Sequence, residues 1–362
     1  MSSVARLLTL CLTACVLLAV PAGAHAGEIR VRKDAKDMTA QEKRDFVDAV
    51  KQLKRYRSPF GRRGISLYDA LVYFHRRAAY PSSGSGAHEG PAFLPWHRAF
   101  LLYFENALNN VSHKKITIPY WDWTDPASTR AVFSPDLMGG DGRRSRNYAV
   151  SDGPFRKGQW KLRVFDLQNE ESPLEPDIDR VVGKATYVQR RMGSLKGYET
   201  LPTAADVDAL LGVGRYDAKP YDARSKAADS FRCALEGWQH LKGVKTNGHN
   251  GVHMWVAGLW ENRRKEQLIG TLGDAVSPND PVFWLVHANV DRLWDQWEQR
   301  HGDVFEPKSG ARKGHNLLDR LSQFGELDLD DNRPVDLLDL QKLEVEYAPP
   351  GGSVLAPPSP AA

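Results

Sequence analysis

The stretch DPVFWLVHANVDRLWDQWEQR, residues 280–300, carries the strongest periodic signal in the 362-residue chain. Large apolar or aromatic side chains and one histidine recur along it every three or four residues, which is the spacing of one face of an α-helix. The members of this face are Phe283, His287, Val290, Trp294 and Trp297. We therefore predict a long helix from Pro281 to Arg300 that buries His287 among aromatic neighbours.

Three more segments place histidines on an apolar helical face. A capping box at residues 66–69 opens a helix that carries His75 on the same face as its leucine and phenylalanine side chains. The next predicted helix carries His97 on a similar face. The segment 249–259 begins with a histidine and has His253 four residues later, so both side chains leave the same side of that helix.

The rest of the chain predicts one mainly α domain. Further helices are expected after the capping box at residues 39–42 and over 231–238. Residues 124–230 are rich in Gly, Pro, Asp and Arg with weak periodicity, which favours loops and short helices, and no strand is predicted. Because no repeat or linker divides the chain, we expect a single domain over 27–347 and a flexible Pro/Ala-rich tail over 348–362.

The N-terminus has the layout of a secretory signal peptide. Arg6 precedes an apolar run, and the small-residue site Ala24-His25-Ala26 follows it, so residues 1–26 are expected to be removed during secretion to the extracellular space or periplasm. No twin arginine precedes the run, which favours the general secretion route. The alternative, a lipoprotein box ending at Cys15, would have only about six apolar residues before it, against the usual 7–15.

Composition excludes several classes of protein. Hydrophobic residues make up 41% and charged residues 26%, as in folded globular chains. The only long apolar run is the N-terminal one, so no membrane span is predicted. The formal net charge is +4, and one arginine leaves with residues 1–26, which is too little charge to indicate nucleic-acid binding. Cys233 is the only cysteine after residue 26, so no internal disulfide can form.

The histidines predict a metal centre. A single histidine on an apolar helix face is usually a core residue with a satisfied nitrogen. Four helices that each bury at least one imidazole would leave many polar atoms unsatisfied without an ion. The candidate ligands form two groups in the sequence: His75, His88 and His97, and His249, His253 and His287.

Copper suits these ligands better than zinc. A zinc hydrolase of the H-E-x-x-H type needs a general base beside the first histidine, and here that residue is Asn250, which cannot take a proton. No Cys-x-x-Cys-His haem motif, carboxylate-rich iron motif or calcium loop is present. Two sets of three imidazoles without a thiolate favour a pair of copper ions that bind O2 between them.

Three motifs resemble those of the tyrosinase family of type 3 copper proteins. They are GPAFLPWHR at 90–98, PYWDW at 119–123 and DPVFWLVHANVDRLW at 280–294. The likeness is greatest to the secreted actinobacterial tyrosinases and covers roughly residues 28–347. The resemblance implies a central four-helix bundle with long connecting loops that holds a dinuclear copper site, with O2 as co-substrate.

The resemblance also assigns individual residues. His75, His88 and His97 correspond to the ligands of one copper, with His88 on a flexible loop, and His249, His253 and His287 correspond to those of the other. In the family's pattern, the residue equivalent to Asn250 and an upstream glutamate hold a water that accepts the phenol proton. Here that glutamate resembles Glu236, although the segment between it and His249 is longer than in bacterial relatives. The alternative for Glu236 is a carboxylate on a helix surface.

Two departures from the family pattern concern substrate and cross-linking. Bacterial relatives have two adjacent histidines where this chain has Val286-His287, so Val286 is expected near the substrate. Together with Met254 at the pocket mouth, this residue predicts a preference for uncharged or bulky phenols over free tyrosine. Gly86 stands where fungal and plant members have a thioether-forming cysteine. Asp291 is a candidate for orienting a ligand imidazole; its alternative is a buried partner of an arginine.

The resemblance implies an enzyme that hydroxylates monophenols and oxidises o-diphenols to o-quinones. A catechol oxidase or o-aminophenol oxidase without monophenol activity is the main alternative. A haemocyanin-type oxygen carrier would share the copper-binding histidines, and a zinc hydrolase would bind zinc in place of copper. Small phenols are the expected partners, together with a copper-delivery helper protein of the kind that many actinobacterial relatives use.

Overall fold

The computed structural model describes residues 29–59, 65–79, 86–164, 185–245, 248–321 and 332–349. Across this part of the chain the structure is mainly helical, which confirms the predicted fold class. The predicted signal peptide lies outside the described residues, as does almost all of the predicted tail, so both remain predictions. No helix of the described chain is long and apolar enough to cross a membrane.

Eight α-helices form the framework within the described ranges. Six of them lie close to segments predicted as helices, and two short ones fall within residues 124–230, where only loops and short helices were expected. In chain order they are α1 (Ala40–Arg55), α2 (Leu67–Ala79), α3 (Phe93–Ser112), α4 (Pro126–Val132), α5 (Ala204–Leu211), α6 (Phe231–Glu236), α7 (Gly248–Ala257) and α8 (Val282–His301). The predicted capping box is present at α1, where the Thr39 hydroxyl accepts a hydrogen bond from the backbone of Glu42, and the Glu42 carboxylate accepts one from the backbone of Thr39.

Two helices end earlier than the periodicity predicts, and both stop at a glycine. α6 ends at Glu236 because Gly237 adopts φ +95°, a left-handed conformation that favours glycine. α7 ends at Ala257 because Gly258 turns the chain with φ +63°. A side chain at position 258 would lie 1.9 Å from the Arg191 carbonyl, so the turn requires glycine sterically as well.

Short strands form three two-stranded sheets, which the sequence analysis did not predict. β1 (Arg30–Arg32) pairs in parallel with β6 (Val345–Tyr347), and β2 (Gly142–Arg143) and β3 (Ala149–Val150) form an antiparallel pair. β4 (Leu259–Glu261) and β5 (Gln267–Ile269) form another. Strands of two or three residues are too short to produce an alternating pattern, which explains why they were missed.

Aromatic packing holds the central helices together. α3 packs against α1 and α8, and α7 packs against α6 and α8. The Trp284 ring of α8 stacks on Phe104 of α3 with ring centroids 3.6 Å apart, and Phe100 lies 4.9 Å from the same indole. Rigid ring contacts of this kind fix the register between helices. The histidine-bearing faces of α2, α3, α7 and α8 therefore meet at defined positions.

A buried charge cluster ties both ends of the described chain to this core. Asp291 of α8 accepts hydrogen bonds from Arg98 Nε at 2.6 Å, from Arg32 Nη1 at 3.1 Å and from the Tyr347 hydroxyl at 2.6 Å. Arg32 also donates to both carboxylate oxygens of Glu105. Because Arg32 lies on β1 and Tyr347 on β6, one carboxylate of α8 holds both strands against α3 and α8.

We predict that Asp291→Asn destabilises the protein by about 3–5 kcal/mol, because it leaves two buried guanidinium groups with one carboxylate fewer. Urea unfolding followed by circular dichroism measures the loss. Asp303→Asn, an exposed aspartate just after the same helix, is the control and should be neutral. Equal free energies of unfolding for the two variants would contradict the prediction.

Replacing Asp295, one turn further along α8, should stabilise the protein rather than destabilise it. Its burial, with smaller contributions from Asp291 and Asp303, raises the pKa of Asp295 to about 6. An aspartate with a raised folded pKa disfavours folding once it is ionised, so stability falls as the pH rises from about 4 in the unfolded chain through 6. Asp295→Asn keeps an acceptor for the Gln299 amide, which lies 2.8 Å away.

We therefore expect Asp295→Asn to raise Tm at pH 7 and to leave it unchanged near pH 4, with the difference developing between these values. Thermal unfolding at pH 4, 5, 6 and 7 tests this. A Tm difference that is the same at every pH would contradict the assigned titration.

Candidate metal centre

Two histidine triads converge in the helical core. His75 lies on α2 and His97 at the start of α3, while His88 lies on the loop between these helices. The second triad has His249 and His253 one turn apart on α7, and His287 on α8. Within each triad, the candidate ligand nitrogens lie within 4.8 Å of one another.

Backbone carbonyls fix the orientation of three of these rings. His75 Nδ1 lies 2.8 Å from the Ala275 carbonyl, His97 Nδ1 2.8 Å from that of Phe93, and His253 Nδ1 2.9 Å from that of Leu272. A carbonyl only accepts, so each Nδ1 carries the proton and each Nε2 is left with a lone pair. Those three Nε2 atoms are buried and have no hydrogen-bond partner among the described residues.

The other three rings also leave nitrogens available. His249 Nε2 and His287 Nε2 lie 3.1 Å apart, a separation that fits two nitrogens bound to one ion at about 2.0–2.1 Å each. The Nδ1 atoms of His88 and His287 are buried and lack a hydrogen-bond partner in the described chain. Buried polar atoms are normally satisfied, so this concentration of unpartnered nitrogens indicates that the site is built to bind metal.

Burial keeps all six imidazoles neutral. It lowers the pKa of His75 to about 3 and that of His253 to about 4, because an imidazolium loses its hydration there. Burial also lowers the pKa of the other four histidines well below the usual value, with neighbouring imidazoles adding to the effect. Neutral imidazole is the form that binds metal, so the ligands need not lose a proton at neutral pH.

The two triads form one site. The His97 and His287 rings, one from each triad, stack with centroids 4.1 Å apart and planes 11° from parallel. Phe93 contacts His97 and His249 at 4.9 and 5.0 Å between ring centroids, and Phe283 contacts His75 at 4.9 Å. These apolar rings limit the entry of water. Two adjacent all-imidazole triads without a carboxylate or thiolate in either are a donor set that suits a pair of copper ions.

Glu236 is buried beside this site. Its side chain has no exposed surface, so the alternative of a carboxylate on a helix surface is wrong. One carboxylate oxygen accepts from the Glu89 backbone N–H at 2.7 Å and the other from Arg232 Nη1 at 3.1 Å. Burial raises the pKa of Glu236, and the neighbouring Arg232 opposes that shift. Its backbone carbonyl lies 3.4 Å from His249 Nδ1.

The remaining predicted site residues differ in their access to solvent. Asn250 and Met254 are partly exposed on α7, and the Asn250 side chain opposes the lowering of the His249 pKa. Val286 has no exposed surface and belongs to the hydrophobic core, so it does not line an opening that water reaches in this conformation. Cys233 is free and buried, as expected of a small core residue.

Asp291 lies apart from the imidazoles. Its hydrogen bonds go to Arg98, Arg32 and Tyr347, as described for the charge cluster, and the His287 Nδ1 one turn away is unpartnered within the described residues. These contacts do not support the expectation that Asp291 orients a ligand imidazole. They match the alternative, in which the carboxylate is a buried partner of Arg98.

Sequence reasoning missed the backbone groups that orient the rings. The carbonyls of Ala275 and Leu272 lie in the irregular segment before α8, and any residue type supplies a carbonyl. No side-chain pattern therefore reports them. Arg232, which pairs with Glu236 four residues later, could have been found from the i, i+4 spacing of opposite charges on a predicted helix.

The comparisons with known proteins agree with this geometry. The common central domain of tyrosinase matches residues 65–300. A tyrosinase from Streptomyces glaucescens is 39% identical over 316 residues, which cover 85% of this chain and 96% of that protein. Grixazone synthase from Streptomyces griseus is 37% identical over 294 residues, covering 76% of this chain and 86% of that protein.

Solved structures share the fold at lower identity. A variant of polyphenol oxidase from Thermothelomyces thermophila has a TM-score of 0.59 and 20% identity, with 89% of each chain covered. A latent aurone synthase has a TM-score of 0.51 and 18% identity, and the match covers 91% of this chain and 60% of that one. The family match, the Streptomyces relatives and the paired triads lead to one conclusion: the chain belongs to the tyrosinase family of dinuclear copper oxidoreductases.

Proposed function

We propose that this protein uses O2 to hydroxylate monophenols and to oxidise o-diphenols to o-quinones, with each triad holding one copper ion. The observation that carries this proposal is the set of buried, unpartnered ring nitrogens directed into one aromatic-walled site. The ligands are His75, His88 and His97 for one copper, and His249, His253 and His287 for the other.

The overall chemistry balances with O2 alone as oxidant. Two o-diphenols give up two electrons and two protons each, so one O2 yields two o-quinones and two waters. One monophenol and one O2 yield one o-quinone and one water. When bound, the copper pair supplies the electron transfer and oxygen insertion that no side chain can provide. The protein supplies neutral ligands, a water-poor site and a path for protons.

Proton removal is the step that the chain's own residues assist. A monophenol must lose its proton before hydroxylation, and a phenol pKa near 10 makes this unfavourable at neutral pH. Glu236 and Asn250 lie on either side of His249 along the chain, and the Glu236 backbone carbonyl lies 3.4 Å from His249 Nδ1. We assign them a water that accepts the phenol proton, held by the Asn250 amide and by the carboxylate lone pairs that Arg232, Glu89 and Trp238 leave unused.

Substrate preference follows from the approach to the site. Met254 is partly exposed one residue after His253 and offers a flexible apolar contact without charge. Val286, which the sequence predicted near the substrate, is buried in the core and does not contribute to this approach. The Met254 contact favours phenols without a carboxylate, so the proposal includes better use of tyramine than of tyrosine.

Secretion and copper delivery complete the proposal. The N-terminal signal pattern would send the protein to the extracellular space or periplasm, where copper loading would require a helper protein outside the cytoplasm or free copper.

We expect the wild-type chain to bind two copper ions and His253→Ala to bind one, because that substitution removes a ligand from one triad only. Copper per chain is measured by elemental analysis after dialysis. His240→Ala, an exposed histidine, is the control and should retain two. Copper at 100 times its Kd should stabilise the wild type by about 2.7 kcal/mol for each ion bound. Preferential binding of zinc would favour the hydrolase alternative and contradict the proposal.

We predict that Asn250→Ala lowers monophenol turnover by about 100-fold or more, with a much smaller effect on the matching o-diphenol. The reason is that only monophenol hydroxylation requires the phenol hydroxyl to lose its proton first. Oxygen uptake by the copper-loaded protein with tyramine and dopamine measures both rates in the same sample, and copper content shows that the site is intact.

Full monophenol turnover in Asn250→Ala would contradict the assigned base. If the wild type takes up oxygen with the o-diphenol but not with the monophenol, the protein is a catechol oxidase. Faster turnover of tyrosine than of tyramine would contradict the proposed substrate preference.

A further inference from the structure

His88 is held differently from the other five candidate ligands. The other five lie on helices, whereas His88 lies on the loop between α2 and α3. Its Nδ1 has no hydrogen-bond partner among the described residues, in contrast to the carbonyl-anchored rings of His75, His97 and His253. The position of the His88 ring therefore depends on how firmly its backbone is fixed.

The residue after His88 adopts an uncommon backbone conformation. Glu89 has φ +58°, a left-handed value that a non-glycine residue keeps only when its surroundings hold it. On one side, its backbone N–H donates to the buried Glu236 carboxylate at 2.7 Å. This contact fixes the peptide between residues 88 and 89 from its amide end.

Arg312 fixes the same peptide from its carbonyl end. Arg312 Nη2 donates to the His88 carbonyl at 2.7 Å, across 224 residues of sequence. Glu236 and Arg312 thus form hydrogen bonds to the N–H and the C=O of the same peptide bond, from opposite sides. A peptide held at both polar groups cannot rotate without breaking a charge-assisted hydrogen bond.

The segment that carries Arg312 is itself packed on the loop. His315 is fully buried, and its Nδ1 accepts from the Ala92 backbone N–H at 3.2 Å. A side chain at Gly90 would lie 2.6 Å from this ring, so the two segments are in close contact. The Asp319 carboxylate accepts from the Gly314 N–H at 2.8 Å, which keeps the segment folded.

From these contacts we infer that Arg312 is a positioning residue for His88, so that the segment after α8 controls how tightly one of the two coppers is held. The inference rests on the ligand set given under the proposed function. The affinity for the copper bound by His75, His88 and His97 depends on the contact between Arg312 and His88. The affinity for the copper bound by His249, His253 and His287 does not.

The test compares copper retention in Arg312→Met with the wild type. Methionine keeps an apolar stem of similar length and removes the hydrogen-bond donors. Proteins loaded with copper are dialysed against graded concentrations of a chelator, and copper per chain is measured by elemental analysis. Lys313→Ala, at the exposed neighbouring position, is the control.

We expect Arg312→Met to lose one copper equivalent at a chelator concentration about 10–100-fold lower than the wild type, as for other residues that orient metal ligands. The second equivalent should be retained as in the wild type, and the remaining copper should give the electron paramagnetic resonance signal of a single Cu(II). Arg312→Lys should recover part of the retention, since an ammonium can still donate to the carbonyl.

Three results would overturn the inference: wild-type retention in Arg312→Met, loss of both equivalents together, or no recovery by lysine. If Arg312→Met fails to fold, Arg312→Leu, which also lacks a hydrogen-bond donor, replaces it in the test, and retention equal to the wild type overturns the inference. The His88→Ala variant distinguishes a wrong inference about Arg312 from a wrong assignment of the copper ligands. If His88→Ala still binds two coppers, the proposed ligand set fails.

Discussion

The packing of six imidazoles against one another, five of them buried and His88 partly buried, is the constraint on which the rest of the structure depends. Each ring has two nitrogens, and burial without partners is costly for both. In three of the rings, one nitrogen is partnered by a backbone carbonyl, at Phe93, Leu272 or Ala275, and the opposite nitrogen is left without a partner among the described residues. The Phe93 carbonyl is within reach because it lies one helical turn before His97 on α3, and the carbonyls of Leu272 and Ala275 lie in the short turns before α8. The turns between helices are therefore functional parts of this site.

The charge cluster at Asp291 helps to hold the imidazoles in place, although it does not contact them. Arg98 directly follows His97 on α3, and Asp291 lies one turn after His287 on α8. The hydrogen bond between Arg98 and Asp291 therefore joins the two helices next to the stacked rings of His97 and His287. Burying such an ion pair adds little net stability, but removal of either partner is costly. Its structural effect is to fix the register in which the two triads face each other.

The sequence predicted the parts of this arrangement that depend on side-chain pattern. Helical spacing of histidines identified the faces of α2, α3, α7 and α8, and closeness in the sequence grouped His88 with His75 and His97. The sequence could not predict interactions that any residue type can make, such as the carbonyls facing His75 and His253. It also missed contacts between distant segments. Arg312 has no local pattern that links it to His88, and β1 and β6 are too short for their pairing to be visible. Asp291 shows a related difficulty, because its spacing from His287 is equally compatible with an imidazole partner and with an arginine.

The two triads consequently differ in how their side chains are held in place. The triad on α7 and α8 takes all its members from helices. The other triad takes two members from helices and one from a loop whose peptide is held between Glu236 and Arg312. Glu236 contributes to both the loop and the surroundings of His249, so movement of the loop changes the environment of the proton acceptor that we assign there. Under the proposed function, this carboxylate would couple the geometry of one histidine triad to proton transfer beside the other.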